Sequence, residues 1–466
     1  MQSVTKEMSH LIKLILIIVM LTSLSALRDI PERARGGSAY ASHMLKVKGA
    51  STAAQYWNSK VDNFAANSTT FQQRYYVDDQ YYTGGSAPIF YEIGGEGTLN
   101  GPPGGFIATL AKQYGAKLIA LEHRFYGSSI PNDNSETSNL KYLTVEQALA
   151  DLNAFTQFYK EKEGVKGKWF VFGGSYPGAL ASWYRNAYPQ ASVGSLSSSG
   201  VVNPIVNYFQ FDEAVSAAVG NACGARLKKI SAAFEQSVSK DFNAALKQMN
   251  CESDMSEVDY LYMLADSWSM ADQYGAKSKL CDAILSVPED SSTSVLTQTF
   301  ADFSIGFWGS NFCSGGFYNT AALADPKRWD VNARSWRWQT CYQVAWFNTA
   351  PVRGSIRSQR VNLEYHLDQC AKIFGYKMQP DIQPLLKRFG GDMPYPVHNV
   401  FYSDFGDDPW RTASVQYPPA VDQPYMIAQC DDCGHCADFH APSPTDPPQL
   451  TAVRNGFANY LAEWLA

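Results

Sequence analysis

The chain has 466 residues, of which 45% are hydrophobic and 18% are charged. This globular composition excludes an intrinsically disordered chain and a fibre. The formal net charge is −6, whereas nucleic-acid-binding proteins carry an excess of basic residues. We therefore expect no nucleic-acid partner.

The first 26 residues predict a secretory leader. Lys6, His10 and Lys13 lead into an apolar run over residues 14–21, and small residues follow it, as before a cleavage site. A membrane span needs about 20 apolar residues, so the run is too short, although a retained anchor is the alternative. We therefore expect a secreted protein, or one in the lysosomal or endosomal lumen, with no membrane segment in its mature form.

The first half of the chain alternates between strand-like and helix-like segments. Short apolar runs at 88–93, 118–122 and 169–172 are typical of buried parallel strands. Between the last two, residues 144–155 predict a helix that Thr144 can cap. This strand–helix–strand rhythm predicts a parallel α/β sheet.

The strongest functional signal is a glycine-flanked serine between a strand and a helix. Residues 171–180 are VFGGSYPGAL, which predicts the nucleophile elbow of an α/β-hydrolase, where a sharp turn exposes Ser175 at the sheet edge. The following helix start would place N–H groups beside an oxyanion. Pro177 replaces the usual small residue, so we expect an altered turn; a glycine-rich turn without chemistry is the alternative.

The middle of the chain has mostly helical periodicity, and strand-like runs return at 399–402 and 425–428 before a closing helix at 450–465. We expect an α/β-hydrolase core interrupted by a helical, disulfide-bonded cap. The predicted divisions are a leader at 1–26, core at 27–208, cap at 209–390 and core at 391–466.

Nine cysteines fit an exported chain, because disulfides persist in oxidising compartments. Six are spaced through the middle and three are crowded near the end: Cys223, Cys251, Cys281, Cys313, Cys341 and Cys370, then Cys430, Cys433 and Cys436. The odd number leaves at least one without a partner in the chain. Asn67 begins an Asn-Ser-Thr sequon and is the predicted glycosylation site.

In this fold an acid and then a histidine follow the serine. A serine hydroxyl needs an imidazole to accept its proton, and the imidazole needs a carboxylate to hold its tautomer. The predicted strand at 399–402 is followed by Asp404, Asp407 and Asp408. His435 follows the next strand, and His440 is its rival.

The cysteines and histidines between residues 430 and 440 also allow a zinc site. We expect disulfides there instead, because export favours them and because the serine has no other base in the required order. No metal and no cofactor are predicted.

Several motifs resemble the serine peptidases that cleave after proline, a family that includes lysosomal Pro-X carboxypeptidase, dipeptidyl peptidase II and thymus-specific serine protease. The resemblance covers nearly the whole mature chain. The matching segments are FQQRY at 71–75, GGEG at 94–97, EHRFYG at 122–127, LTVEQALAD at 143–151, WQTC at 338–341 and DPW at 408–410. SYPG at 175–178 and GHC at 434–436 look most like the thymus-specific branch.

This resemblance implies a catalytic triad of Ser175, Asp408 and His435. It implies an oxyanion hole at Tyr176 and Gly95. It also implies the disulfides Cys223–Cys281, Cys251–Cys313 and Cys341–Cys370, and leaves the pairing of the last three cysteines open.

Two further residues are candidates for substrate binding. The resemblance implies that Trp410 lines a proline-accepting pocket, with a plain core tryptophan as the alternative. Glu96 either binds a substrate amine or ties down the oxyanion loop. We expect His123 to brace its loop rather than to catalyse, because it precedes the serine.

The function we expect is therefore a serine-type exopeptidase acting on peptides after proline, of the dipeptidyl-peptidase or Pro-X carboxypeptidase type. A lipase-like esterase and a catalytically silent binding protein of the same fold are the alternatives. Since the family includes lysosomal enzymes, we expect activity near pH 5, with burial or bound substrate offsetting the effect of Asp408 on the pKa of His435. Whether two copies form a homodimer stays open.

Overall fold

The computed structural model describes residues 53–466 except 252–253, 310–311, 314–315 and 328–330. The predicted leader lies outside the described residues. The strands are β1 Gln55–Lys60, β2 Thr70–Asp78, β3 Ile89–Ile93, β4 Lys117–Leu121, β5 Trp169–Gly174, β6 Gly194–Ser198, β7 Ile205–Tyr208, β8 Ala345–Asn348, β9 Val400–Phe405 and β10 Tyr425–Ala428. The helices are α1 Gly105–Tyr114, α2 Thr137–Leu140, α3 Val145–Glu163, α4 Tyr176–Ala187, α5 Gln210–Lys240, α6 Phe242–Gln248, α7 Glu257–Gln273, α8 Lys277–Leu285, α9 Thr293–Trp308, α10 Thr320–Ala324, α11 Val331–Gln339, α12 Leu363–Phe374, α13 Gln383–Phe389 and α14 Pro448–Leu465.

Eight of the described strands form one sheet in the order β1-β2-β4-β3-β5-β6-β9-β10. The hairpin β1–β2 is antiparallel, and β2 is antiparallel to β4. All neighbouring strands from β4 to β10 run parallel. Because parallel strands end at one edge, the loops that follow β5, β9 and β10 converge there. This order and its helical cover are those of an α/β-hydrolase.

Helices cover both faces of the sheet, as buried parallel strands require. On one face, α1 and α14 pack Leu110, Phe457 and Leu461 against Phe90 and Phe172. The other face packs against α3 and α4 through a second cluster that extends into the cap. Thr144 caps α3 by accepting a hydrogen bond from the Gln147 N–H, as its sequence indicates.

The helical cap lies between β7 and β9 in the chain and carries α5 to α13. The small sheet β7–β8 joins residues on either side of the predicted boundary at 208. Three disulfides cross-link the cap: Cys223–Cys281, Cys251–Cys313 and Cys341–Cys370. These are the pairs that the resemblance implies.

No helix within the described ranges is apolar over a length that could cross a membrane.

Candidate active site

Ser175 lies in a sharp turn between β5 and α4. Its backbone has φ 65° and ψ −129°, a strained conformation for a residue with a side chain. The turn is held by the bond from its N–H to the Ser198 carbonyl, at 2.9 Å. Gly173 is required here, because a Cβ would lie 2.0 Å from the Pro177 carbonyl oxygen. Pro177 sits in the first helical turn, where a missing N–H costs nothing, and α4 still begins at Tyr176.

Asp408 and His435 are in direct contact. Asp408 Oδ2 lies 2.7 Å from His435 Nδ1. The other oxygen, Oδ1, accepts a hydrogen bond of 2.9 Å from the Trp410 N–H and so caps the short helix that follows β9. Both side chains are buried, with 0% of Asp408 and 5% of His435 exposed. The carboxylate therefore holds the imidazole with Nε2 directed away from it.

His435 Nε2 is buried and has no hydrogen-bond partner in the described structure. It lies in a pocket that Ser175 also lines. The other aspartates of the acidic loop do not bond the imidazole: Asp407 pairs with Lys277 at 2.8 Å, and burial raises the pKa of Asp404 well above its usual value. Among Asp404, which lies near the end of β9, and Asp407 and Asp408, which follow it, Asp408 is thus the one that bonds His435.

The loop carrying His435 is tied to the sheet and to the cap. The His435 N–H donates to the Gln273 carbonyl of α7 at 2.6 Å. Asp438 accepts hydrogen bonds from Ser198 at 2.5 Å and Ser403 at 2.6 Å, which anchors the loop to β6 and β9. These bonds come from three parts of the chain, so the imidazole position depends on core and cap together.

The pKa of His435 is raised well above its usual value. Burial opposes the charged imidazolium, but Asp408 and the Cys436 side chain outweigh it. Burial is therefore outweighed in the free protein, and activity near pH 5 stays a prediction.

Tyr176 and Gly95 adjoin Ser175. The Tyr176 N–H begins α4, and the first N–H groups of a helix have no acceptor within it. A Cβ on Gly95 would lie 2.7 Å from the Pro177 ring, so glycine lets the Gly94–Gly97 loop approach the elbow. Both residues line the pocket.

The Tyr176 side chain points into a buried hydrogen-bond chain. Its hydroxyl accepts a bond of 2.8 Å from Gln339 and lies 3.1 Å from His123 Nε2. Burial lowers the pKa of His123 to about 4, so the ring is neutral at pH 7. His123 Nδ1 lies 2.7 Å from the Arg124 carbonyl oxygen in its own loop, where bracing was expected, and Nε2 also reaches the elbow.

The two family motifs at 122–127 and 143–151 meet in a buried ion pair. Arg124 donates to both Asp151 oxygens at 2.6 Å. It also donates to the carbonyls of Val61 and Tyr142 at 2.9 and 3.0 Å. This network fixes the loop after β4, from which His123 reaches Tyr176.

Trp410 forms part of an aromatic wall. Its ring centroid lies 4.9 Å from Phe211 and 6.5 Å from His435. Its Nε1–H donates to Gln273 Oε1 at 2.9 Å, which fixes the ring orientation. Further aromatic side chains line the pocket: Tyr262, Tyr274, Phe317, Tyr318, Trp336 and Trp346.

The pocket encloses about 190 Å³. At about 10–15 Å³ for each water-sized group, this space holds on the order of a dozen such groups. Glu92 and Glu96 face it, and burial raises the pKa of Glu92 to about 8. Glu96 Oε2 is buried without a partner among the described residues, and burial raises the pKa of Glu96 as well.

The late cysteines form a disulfide between Cys430 and Cys433, and Cys436 is free. This settles a pairing that the sequence leaves open. Within the described ranges, no cluster of histidine, cysteine or acidic side chains is arranged to hold a metal ion. Cys436 Sγ would lie 2.9 Å from a Cβ placed on Gly174, so the free thiol adjoins the residue before Ser175.

Two other predicted positions have clear locations. Asn67 is exposed in the loop between β1 and β2. His440 lines the same pocket as His435, but the Asp408 contact is made by His435.

Two pocket residues have no signal in the sequence. Gln273 is the last residue of a cap helix. It accepts hydrogen bonds from Trp410 and His435, and these contacts form only when the helix packs against the loops of the core. Arg337 directly precedes the WQTC motif at 338–341 and is not part of it. A buried cation beside aromatic residues is indistinguishable in sequence from a surface arginine.

The chain is similar to known proteases along most of its length. Residues 59–457 match the family described as Serine carboxypeptidase S28. The chain is 33% identical over 420 residues to the probable serine protease EDA2 of Arabidopsis thaliana, covering 87% of this chain and 83% of the relative. It is 27% identical over 441 residues to the thymus-specific serine protease of Mus musculus, covering 86% and 85%. It is 24% identical over 457 residues to the lysosomal Pro-X carboxypeptidase of Homo sapiens, covering 88% of each.

Among solved structures, an acetylester hydrolase from Corynebacterium glutamicum aligns with a TM-score of 0.40 at 13% identity, over 87% of this chain and 96% of that one. The match over residues 59–457 spans far more than half of the chain. The chain therefore belongs to the serine carboxypeptidase S28 family and is a serine-type peptidase that acts on peptide substrates.

Proposed function

We propose that the protein hydrolyses peptide bonds after proline through an acyl-enzyme formed on Ser175, with His435 as the base and Asp408 as its orienting acid. One observation carries this proposal above the others. The Asp408–His435 contact of 2.7 Å leaves a buried Nε2 without a described partner in the pocket that holds the strained Ser175.

In the first step, His435 Nε2 accepts the hydroxyl proton as Ser175 Oγ attacks the substrate carbonyl. Asp408 keeps the remaining proton on Nδ1 and stabilises the imidazolium. The imidazolium then protonates the departing amine. Water then attacks the acyl-enzyme as His435 accepts a proton from it. The imidazolium returns a proton to Ser175 Oγ as the acyl group leaves, which regenerates Ser175.

The oxyanion of each tetrahedral intermediate would be bound by the N–H groups of Tyr176 and Gly95. Support comes from the start of α4 at Tyr176 and from the close contact of Gly95 with the Pro177 ring. Such donors act most strongly in a site from which water is excluded, and the cap provides that cover.

Preference for proline is supported by the aromatic wall beside His435. A pyrrolidine ring is apolar and flat enough to pack on the face of Trp410, whose orientation Gln273 fixes. Glu96, whose Oε2 lacks a described partner, is the candidate for a substrate amine.

We also propose that the protein is exported and works in the secretory or lysosomal lumen. The four described disulfides support an oxidising compartment. The exposed position of Asn67 is compatible with a glycan.

The test is labelling with a fluorophosphonate probe, followed by a peptide-library profile of the cleavage products. Labelling should occur in the wild type and vanish in Ser175→Ala, with hydrolysis falling by on the order of 10⁶. Ser239→Ala, on the exposed face of α5, is the matched control and should behave like the wild type. Unlabelled wild-type protein would favour the silent binding protein. Labelling with cleavage of esters but not of peptides would favour the esterase.

A further inference from the structure

Arg337, on α11, is a buried cation on the cap side of the pocket. It is 4% exposed and lines the same pocket as Ser175 and His435. Its guanidinium lies 5.6 Å from the centre of the Tyr262 ring. None of the ion pairs formed in the described part of the chain includes Arg337.

The other buried arginines in the described ranges donate to carboxylates or carbonyls. They are Arg124, Arg185, Arg226, Arg334, Arg357 and Arg454. Arg334 lies one turn before Arg337 on the same helix and donates to the Ser135 carbonyl at 2.9 Å. Arg357 bonds Asp212 at 2.6 Å and Asp266 at 3.2 Å. Arg337 has neither kind of acceptor in the described structure, although a guanidinium carries five donors.

None of the described acidic side chains around the pocket forms a direct ion pair with Arg337. Asp266 bonds Arg357 instead, and burial raises the pKa of Asp266 to about 6. Burial also raises the pKa values of Glu92 and Glu96, which favours their uncharged forms. Within the described ranges, Arg337 therefore lines the pocket without a direct ion pair to any of these carboxylates.

A buried charge without a partner is costly, and a planar guanidinium matches a carboxylate through two parallel hydrogen bonds. We propose that Arg337 binds a carboxylate of the peptide substrate and thereby selects substrates that carry an acidic group near the scissile bond. This inference rests on the proposed function, because it assumes peptide hydrolysis at Ser175. The carboxylate belongs either to the free carboxy terminus or to an acidic side chain.

The test compares kcat/KM for four peptides with the same proline and scissile bond. Two have neutral side chains and differ only in a carboxy-terminal acid or amide. The other two are amides with Glu or Gln immediately before the proline. One acid should be preferred by roughly ten- to a hundredfold over its neutral match, and which acid is preferred identifies the source of the carboxylate.

Arg337→Gln should abolish that preference while the neutral amide is still hydrolysed. Arg337→Lys should restore part of the preference, because it keeps the charge but loses the planar fork. Arg353→Gln, at an exposed position, should keep the wild-type ratio.

Equal kcat/KM for acidic and neutral peptides in the wild type would overturn the proposal, as would an unchanged preference in Arg337→Gln. Equal wild-type ratios would overturn the proposal without any variant, and Arg337→Lys supplies a second variant where the Gln variant does not fold. Failure of the proposed function looks different: the probe would not label Ser175 and the neutral peptide would not be cleaved.

Discussion

The backbone carbonyl of Gln273 accepts a hydrogen bond of 2.6 Å from the backbone N–H of His435. The same residue accepts a bond from Trp410 Nε1 through its side chain at 2.9 Å. Gln273 ends α7, so one cap residue positions both the proposed base and the proposed proline-binding ring. The contact is close enough to require glycine at Gly434, where a Cβ would lie 2.3 Å from the Gln273 carbonyl oxygen.

Gln273→Ala should reduce kcat/KM on a proline peptide by roughly fivefold, since it removes one side-chain hydrogen bond worth about 1 kcal/mol and frees the Trp410 ring. The loss should appear mainly in KM, because the bond to His435 comes from the backbone and survives. Fluorophosphonate labelling should stay near the wild-type rate. Gln298→Ala, on an exposed part of the cap, is the control, and an equal loss in both variants would argue against the role of Gln273.

Asp408→Asn should change both the rate and the pH profile. The folded pKa of His435 is raised, so the imidazole is protonated below that pKa and kcat/KM should fall as pH falls through it. Without the carboxylate the pKa drops and the acidic limb should move to lower pH. The maximal rate should fall by about 10⁴ because the tautomer is lost.

The control for this variant is Asp431→Asn, on the same loop as His435 but with 92% of its side chain exposed. Its profile should match the wild type. An acidic limb that stays in place in Asp408→Asn would contradict the assignment of Asp408 as the partner of His435.

Cys436 should make the peptidase sensitive to thiol reagents. Its thiol adjoins Gly174 in the pocket, so N-ethylmaleimide attached there should block access to Ser175. Burial raises the pKa of the thiol, so inactivation should be slow at pH 7 and accelerate at alkaline pH, where the thiolate forms. Cys436→Ser should remain active and resist the reagent; inactivation of that variant at the wild-type rate would rule out this site.

Asp151→Asn should destabilise the fold, because it leaves the buried Arg124 without its carboxylate. Breaking such a pair costs about 3–5 kcal/mol, which should lower Tm and the midpoint of urea unfolding. Asp368→Asn removes the surface pair with Lys372, whose side chains are 54% and 64% exposed, and should cost about 0–1 kcal/mol. Similar shifts in the two variants would show that burial of the Arg124 pair does not matter.

Local sequence patterns were enough to predict the elbow and the strands β3, β4, β5, β9 and β10, but not β6, β7 or β8. The alternation of apolar runs and helical stripes before residue 200 depends only on which face each residue buries. The order of serine, acid and histidine follows from the order of strands in the fold. The family resemblance, rather than spacing, selected Asp408 from three nearby acids, and in the structure Asp408 bonds His435.

Other features depend on contacts between segments distant in the chain, which no local pattern records. Gln273 is 162 residues before His435 in sequence, as their numbers show, yet they share a hydrogen bond. The direction of the His435 pKa shift follows from the balance between burial and Asp408, which only the packed structure determines. The same is true of Arg337: the sequence establishes its charge, but only tertiary packing decides that this charge is buried at the pocket without a described carboxylate partner.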